Sequence, residues 1–181
     1  MRMLILSIVI IALSQMSQAQ KLVSKNGHIW FYSHTPVEDI EAHNRQVVSI
    51  LDLSNGDIVF NLLIKSFEFK IALMQEHFNE NYMESDKFPK ATYKGKINNL
   101  DKIDFKKDGI YPAEVSGDLT IRNVTKPVIS KGAIEVKGSS VTARAKFIVK
   151  PQDFDITIPS VVENKIAKEI AVNVDITYSS N

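Results

Sequence analysis

The chain has 181 residues, with 22 Lys and Arg against 21 Asp and Glu and a formal net charge of +1. A balance this close to neutral, with charges interspersed rather than blocked, does not ask for a nucleic-acid partner. Cysteine is absent, which excludes disulfides, thiolate metal ligands, nucleophilic thiols and lipid attachment through a processed cysteine.

Met1 and Arg2 precede an unbroken apolar run from Leu4 to Leu13, and a polar stretch then ends in Ser17-Gln18-Ala19 before Gln20. This is the pattern of a secretory signal peptide. The run is roughly ten residues, about half of what a spanning helix requires. Cleavage near Ala19 is expected, leaving residues 20–181 as one soluble domain, periplasmic or secreted, with no stable membrane insertion. About 160 residues suffice for one domain with a sizeable core.

Along that domain, residues 28–34 and 45–53 read as the first two strands. Asn55-Gly56 lies between apolar runs and signals a tight hairpin, so 45–53 should pair with 57–65. Residues 66–83 then change period. Phe67, Ile71, Met74, Phe78 and Tyr82 recur at helical spacing, which predicts an amphipathic helix covering one end or flank of the domain, with Pro89 marking the return to a strand. Strict alternation follows. Ala91, Tyr93, Gly95 and Ile97 share one face, as do Ala113, Val115, Gly117, Leu119 and Ile121. After a strand over 126–137, the pattern recurs with Val141, Ala143, Ala145, Phe147 and Val149, and finally with Ile170, Val172, Val174, Ile176 and Tyr178.

About eight strands with short turns and little helix point to an all-β fold of successive antiparallel neighbours, either a closed up-and-down barrel or a sandwich. Several inward positions are small: Ala91, Gly95, Ala113, Gly117, Gly132, Ala143 and Ala145. Two explanations stand at this level. Narrow parts of a barrel alternate small and large residues, or the small residues leave room for a ligand, which eight strands can just enclose.

Reactive chemistry finds little support. His77 and Glu80 are three apart on the predicted helix, but two ligands do not make a metal site. A fold-back site joining His77 and Glu76 to His28, His34 or His43 is outweighed by solvated or hydrogen-bonded side chains. No serine lies in a G-x-S-x-G turn and no phosphate-cradling glycine loop occurs. Asp153 and Asp155 flank Phe154 and would point the same way on a strand, where such carboxylates usually meet solvent. Asn123-Val124-Thr125 matches a glycosylation sequon and reads as a turn.

Two segments together resemble the YceI-like family of periplasmic lipid-binding proteins. In the first, His77, Phe78, Tyr82, Met83, Asp86, Phe88 and Pro89 follow the family's passage from a histidine and an aromatic pair into a Pro step and a strand. In the second, Leu119, Thr120, Ile121, Val124, Thr125, Lys126, Pro127 and Val128 reproduce an "LTIxGVTKPV" hairpin, with Asn123 in place of the family's glycine. The family's "R-x-DFG-I" segment appears as Pro151-Gln152-Asp153-Phe154-Asp155-Ile156, without the arginine and glycine. The resemblance runs from about Gly27 to Tyr178.

It implies an eight-stranded antiparallel lipocalin-like barrel with one amphipathic connecting helix, and an apolar cavity holding a long-chain amphiphile: a polyisoprenoid, quinone-like or fatty-acid derivative. The expected ligand-binding residues are Phe60, Leu62, Phe67, Met74, Phe78, Tyr82, Tyr93, Val115, Gly117, Leu119, Ala143, Ala145, Phe147, Phe154 and Val172. No catalytic residue, metal or cofactor is expected beyond the non-covalent lipid, and a homodimer is compatible with the sequence. The alternatives are an enzyme or electron-transfer accessory acting on a bound isoprenoid quinone, with His77, Glu76 or Asp153 near the cavity mouth, and a stress-related interaction protein whose barrel is filled by its own side chains.

Overall fold

The period-two stripes become strands in the computed structural model, which describes residues 21–179; the leader expected over 1–19 lies outside them. The strands are β1 (Lys21–His34), β2 (Asp39–Asp52), β3 (Asp57–Leu63), β4 (Glu68–Phe69), β5 (Lys90–Ile97), β6 (Gly109–Ile121), β7 (Val124–Lys137), β8 (Ser140–Val149) and β9 (Ile170–Ser179). The order β1-β9-β8-β7-β6-β5-β3-β2 closes through a β1–β2 ladder, and every pair is antiparallel. This is a closed eight-stranded up-and-down barrel, with the two-residue β4 added to β2 beside Ala42 and His43. Closure removes the free edges that a sandwich would leave.

The first two strands are longer than their alternation suggests. The β1–β2 register shifts between Ser24 and Gly27 and again between Gly27 and Ile29, so Lys25 and Asn26 both face outward and the inward phase resumes at Gly27. Such a bulge breaks the period-two signal. Glycine leaves room there: a Cβ at position 27 would stand 2.2 Å from the Ile176 Cδ1 and 3.1 Å from the Val47 carbonyl oxygen, so a side chain would have to displace the buried Ile176 side chain.

The Asn55-Gly56 turn is wider than a two-residue hairpin. Among the pair only Gly56 has positive φ, its N–H donates to the Asp52 carbonyl at 2.8 Å, and the Asp52 carboxylate accepts from the Ser54 N–H and hydroxyl. The turn at Asn123 is left-handed as the sequence implies, with φ of 49° at Arg122 and 62° at Asn123.

The helix expected over 66–83 is much shorter. Residues Ile64–Ser66 form a 3-10 turn, Glu68–Phe69 is strand β4, and only Ala72–His77 is α-helix (α1), passing into a π-helical turn over Phe78–Tyr82. Phe67 and Phe69 are two apart because they sit on extended chain held against β2. The Phe69 N–H donates to the Gln75 side chain at 3.1 Å, which anchors the start of α1 to β4. Asp153 and Asp155 are not on a strand either: Pro151–Phe154 is a 3-10 turn, and Asp155 follows it with φ of 56°. That left-handed residue stands where the resembling pattern has glycine, as backbone sterics favour.

Chain direction assigns the connections to two ends. The β2–β3 turn, residues 98–108 and the β7–β8 turn lie at one end. Residues 35–38, 64–89, 122–123 and 150–169 gather at the other.

Candidate functional site

The inward stripes do not fill the barrel evenly. At the end carrying residues 98–108, Val47, Leu51, Ile97, Ile176 and Tyr178 are at most 1% exposed, and the Tyr178 hydroxyl meets the Ser49 hydroxyl at 2.6 Å. Burial drives the Tyr178 phenol pKa upward, so it stays a neutral hydrogen-bonding group. Ile103, Leu100 and Phe105 pack against this core from the 98–108 connection. This end is solid.

Toward the other end the barrel opens into a cavity of about 580 Å³. Ala91, Ala113, Gly132, Ala143 and Ala145 line it, so these small inward residues leave volume rather than taper. Of the fifteen residues expected to bind a ligand, thirteen line this space: Phe60, Leu62, Phe67, Met74, Phe78, Tyr82, Tyr93, Val115, Leu119, Ala143, Ala145, Phe147 and Val172. Gly117 and Phe154 do not. A Cβ on Gly117 would lie 2.3 Å from the Lys94 carbonyl oxygen and 2.4 Å from the Gly95 Cα, so this glycine serves a close approach of β6 to β5. Phe154 is 2% exposed but is buried outside the cavity lining, in the turn after β8.

The roof of the cavity is aromatic. Phe31, Phe67, Phe69 and Phe78 pack with ring centroids 5.0–5.8 Å apart, in tilted, edge-on and stacked pairs. Such contacts add to the gain from apolar burial. Met74 and Tyr82 complete the inner face of α1 and its π-helical turn, while Gln75, Glu76, Asn79 and Glu80 are absent from the lining. Ile71 and Leu73 line the cavity and are also 49% and 57% exposed, so the mouth opens beside the start of α1. Glu38, His77 and Lys165 are polar groups on the same boundary.

Sequence reasoning missed part of the lining. Phe31 lies in the strand read over 28–34, where consecutive Trp30, Phe31 and Tyr32 blur which face is inward, and Phe69 lies on the brief strand β4 inside the stretch that reads as helix. Ile156, Ile158, Val162 and Ile166 come from the β8–β9 connection, whose two-residue spacing at Ile156 and Ile158 was the one available signal.

The site's electrostatics are quiet. Tyr93 lies on the lining with its hydroxyl donating toward the Val128 carbonyl at 3.4 Å, and burial, aided by the Asp118 charge, pushes its pKa up to about 12. Burial also raises the Tyr82 pKa. Both phenols are therefore neutral near pH 7. Of the residues offered for quinone chemistry, His77 lines the cavity, whereas Glu76 and Asp153 do not. The His28 Nε2 lies 3.0 Å from the His43 Nδ1, in a pair stacked with Trp30, and His34 pairs with Asp39. Among the described residues no three His, Asp or Glu side chains come together in a metal-ligating group.

Comparison with known proteins agrees with this architecture. The family model described as the YceI-like domain matches residues 20–178. No curated protein matches the chain by sequence. Among solved structures, a polyisoprenoid binding domain from Saccharophagus degradans, described as implicated in plant cell wall breakdown, superposes with a TM-score of 0.76 at 11% identity, covering 89% of this chain and 98% of that one. Burkholderia cenocepacia BcnA gives a TM-score of 0.69 at 14% identity, with coverages of 83% and 95%. The Campylobacter jejuni YCEI protein gives 0.63 at 14%, with coverages of 82% and 89%. At these identities the structures share the fold, and the match of the domain model over residues 20–178 shows that the chain belongs to the YceI-like family.

Proposed function

We propose that this protein is a non-enzymatic carrier that shields the apolar chain of a polyisoprenoid, quinone-like or fatty-acid amphiphile inside its barrel, working in the periplasm after export. The observation that carries the reading is the cavity of about 580 Å³, roofed by four phenylalanines and floored by the solid end of the same barrel. Its volume falls in the range of small-molecule sites. Transfer of a chain from water into such a space gains about 0.8 kcal/mol per methylene. A long chain thus offsets the cost of association without a dense set of polar contacts.

The mouth suits an amphiphile lying with its tail inward. Glu38, His77 and Lys165 stand at the polar boundary, and the tail would run toward Ala143, Ala145 and Leu119. The apolar interior discriminates chain length weakly, since one methylene is worth only about 1–3 kcal/mol in such pockets. The S. degradans domain is described as polyisoprenoid-binding, which supports the ligand class. The leader read in residues 1–19 supports export, and among the described residues no helix is long and apolar enough to cross a membrane.

Native mass spectrometry of gently purified protein tests the proposal. A retained long-chain lipid of unchanged structure is expected. A chemically altered lipid would replace the carrier with an enzyme, and a protein that neither retains nor takes up any long-chain amphiphile would refute the carrier.

A further inference from the structure

The barrel wall is not equally tied on all sides. The β6–β7 ladder runs the whole length of its strands, from Gly109 opposite Val136 to Ile121 opposite Val124. The β7–β8 ladder instead stops at Lys131 opposite Lys146. Above it, Val124–Ser130 have no ladder partner on β8, and Phe147–Val149 have none on β7. The upper half of the barrel therefore has no ladder along the β7–β8 seam.

That seam borders the cavity directly. Val128, Ser130, Phe147 and Val149 line the cavity from its two sides. Continued upward, the register of the paired half sets Ile129 opposite Ile148 on the outer face, and these are 67% and 48% exposed. A single layer of side chains thus separates apolar interior from solvent. The β2–β3 ladder also stops short, at Val48 opposite Asn61, but there the Asn44 side chain donates to the Leu63 carbonyl and β4 pairs with β2 at Ala42 and His43; across the β7–β8 gap side-chain packing takes the place of ladder hydrogen bonds, whose collective rupture is costly.

A plug and a latch sit at the top of the seam. The 3-10 turn Pro151–Phe154 packs against β7 and buries Phe154 to 2% exposure. Its backbone hydrogen bonds return to its own segment, from the Asp153 N–H to Lys150 and from the Ile156 N–H to Pro151. What ties it across the seam is Arg122 in the β6–β7 turn, whose guanidinium donates to the Asp155 carbonyl and also to the Glu84 carboxylate beyond the π-helical turn. Glu84, Arg122 and Asp155 all have positive φ, at 45°, 49° and 56°. Left-handed non-glycine residues persist only where their surroundings hold them, and they cluster at clamps and switch regions.

We propose that the β7–β8 seam is a side gate to the cavity, plugged by Phe154 and latched by Arg122, through which the ligand's chain slides in laterally while its head group stays at the mouth. The inference rests on the carrier reading. A lateral path spares a long flexible chain from threading end-first past Glu38, His77 and Lys165. Opening it breaks no β7–β8 ladder hydrogen bonds; it costs the Arg122 contacts, the packing of Phe154 and the side-chain packing along the seam.

The test uses the absence of native cysteine. In an Ile129→Cys, Ile148→Cys double variant, the two outward side chains are joined by a reducible bis-maleimide linker, and uptake of cis-parinaric acid is followed by its fluorescence. Cross-linking is expected to slow uptake at least about tenfold, equivalent to about 1.4 kcal/mol of barrier, with the final amount bound unchanged and the rate restored on reduction. Each single-cysteine variant capped with a monofunctional maleimide should load at the wild-type rate. Arg122→Gln should load faster than wild type. Equal rates before and after cross-linking overturn the gate and leave the carrier standing, as would slowing in the capped single variants. Protein stripped of any retained lipid is used throughout, and a wild-type protein that neither retained a lipid nor takes up the probe or any other long-chain amphiphile removes both.

Discussion

The two halves of the barrel are built from the same strands yet do opposite things. On β8 the inward stripe runs Val141 at the solid end, then Ala143 and Ala145 beside the cavity; on β5 it runs Ile97 at the solid end, then Tyr93 and Ala91. On β9, Tyr178 and Ile176 are fully buried, whereas Val174 and Val172 border the cavity. On β8 and β9 these inward residues beside the cavity are smaller than those at the solid end, and this loss of side-chain volume helps leave the upper level open. The difference teaches that this protein places its stability at one end and its binding space at the other.

That division can be broken most severely at the solid end. Tyr178→Ala should remove about 3–5 kcal/mol of stability, because it deletes a fully buried aromatic and strips the Ser49 hydroxyl of its partner. Denaturant titration would show the loss, and a cost below about 1 kcal/mol would mean that this end collapses around the defect instead of being rigidly packed.

Gly117→Ala tests the wall between the halves. Its added methyl must displace β5 backbone rather than a flexible side chain, at an expected cost of about 1–3 kcal/mol. A melting temperature equal to that of wild type would contradict the close approach of the two strands.

The hollow half should respond in the opposite sense. Ala143→Phe is expected to change stability by less than about 1 kcal/mol, since its ring enters empty space, whereas overpacking a solid core costs about 1–3 kcal/mol. The same variant should lose most of its retained lipid. Thermal unfolding and lipid content measured on one sample decide the point, and a clear stability loss with lipid retained would overturn the contrast between the halves.

The smallest effect concerns the outer face of β1 and β2. Burial, then the Arg45 charge, then His43, lower the His28 pKa. The unfolded chain therefore binds the proton more readily, and this group's contribution is present above the ordinary histidine pKa near 6.5 and is lost as pH falls through the lowered folded value. The melting temperature should drop slightly below about pH 6.5, and His28→Gln should reduce that drop. Because the pair lies outside the barrel, lipid content should not follow it.

Much of this arrangement was legible locally. Period-two alternation marked the inward faces of β5, β6, β8 and β9, and the hairpin motif carried the left-handed turn at Asn123. Legibility failed where local period and local geometry part. The bulge at Gly27 hid half of β1, and Phe67 joined a helical pattern although the chain from Phe67 to Phe69 is extended, with Glu68 and Phe69 paired to β2. Phe154 stood among the ligand contacts that the family resemblance implies, and it is buried outside the cavity lining.

The sequence by itself determined which residues of β5, β6, β8 and β9 face inward, since along an unbroken strand the direction of a side chain depends only on its neighbours. It also determined that the inward set includes unusually small members. The tertiary structure alone decided that those members leave a cavity, because empty volume is the difference between the bore set by closing eight strands and the side chains that several of them contribute at one level. It also decided that β7 parts from β8 above Lys131 and that Arg122 spans the loops at that end. Ladder length and a staple between residues 38 and 33 positions apart are relations between distant segments, and no local period records them.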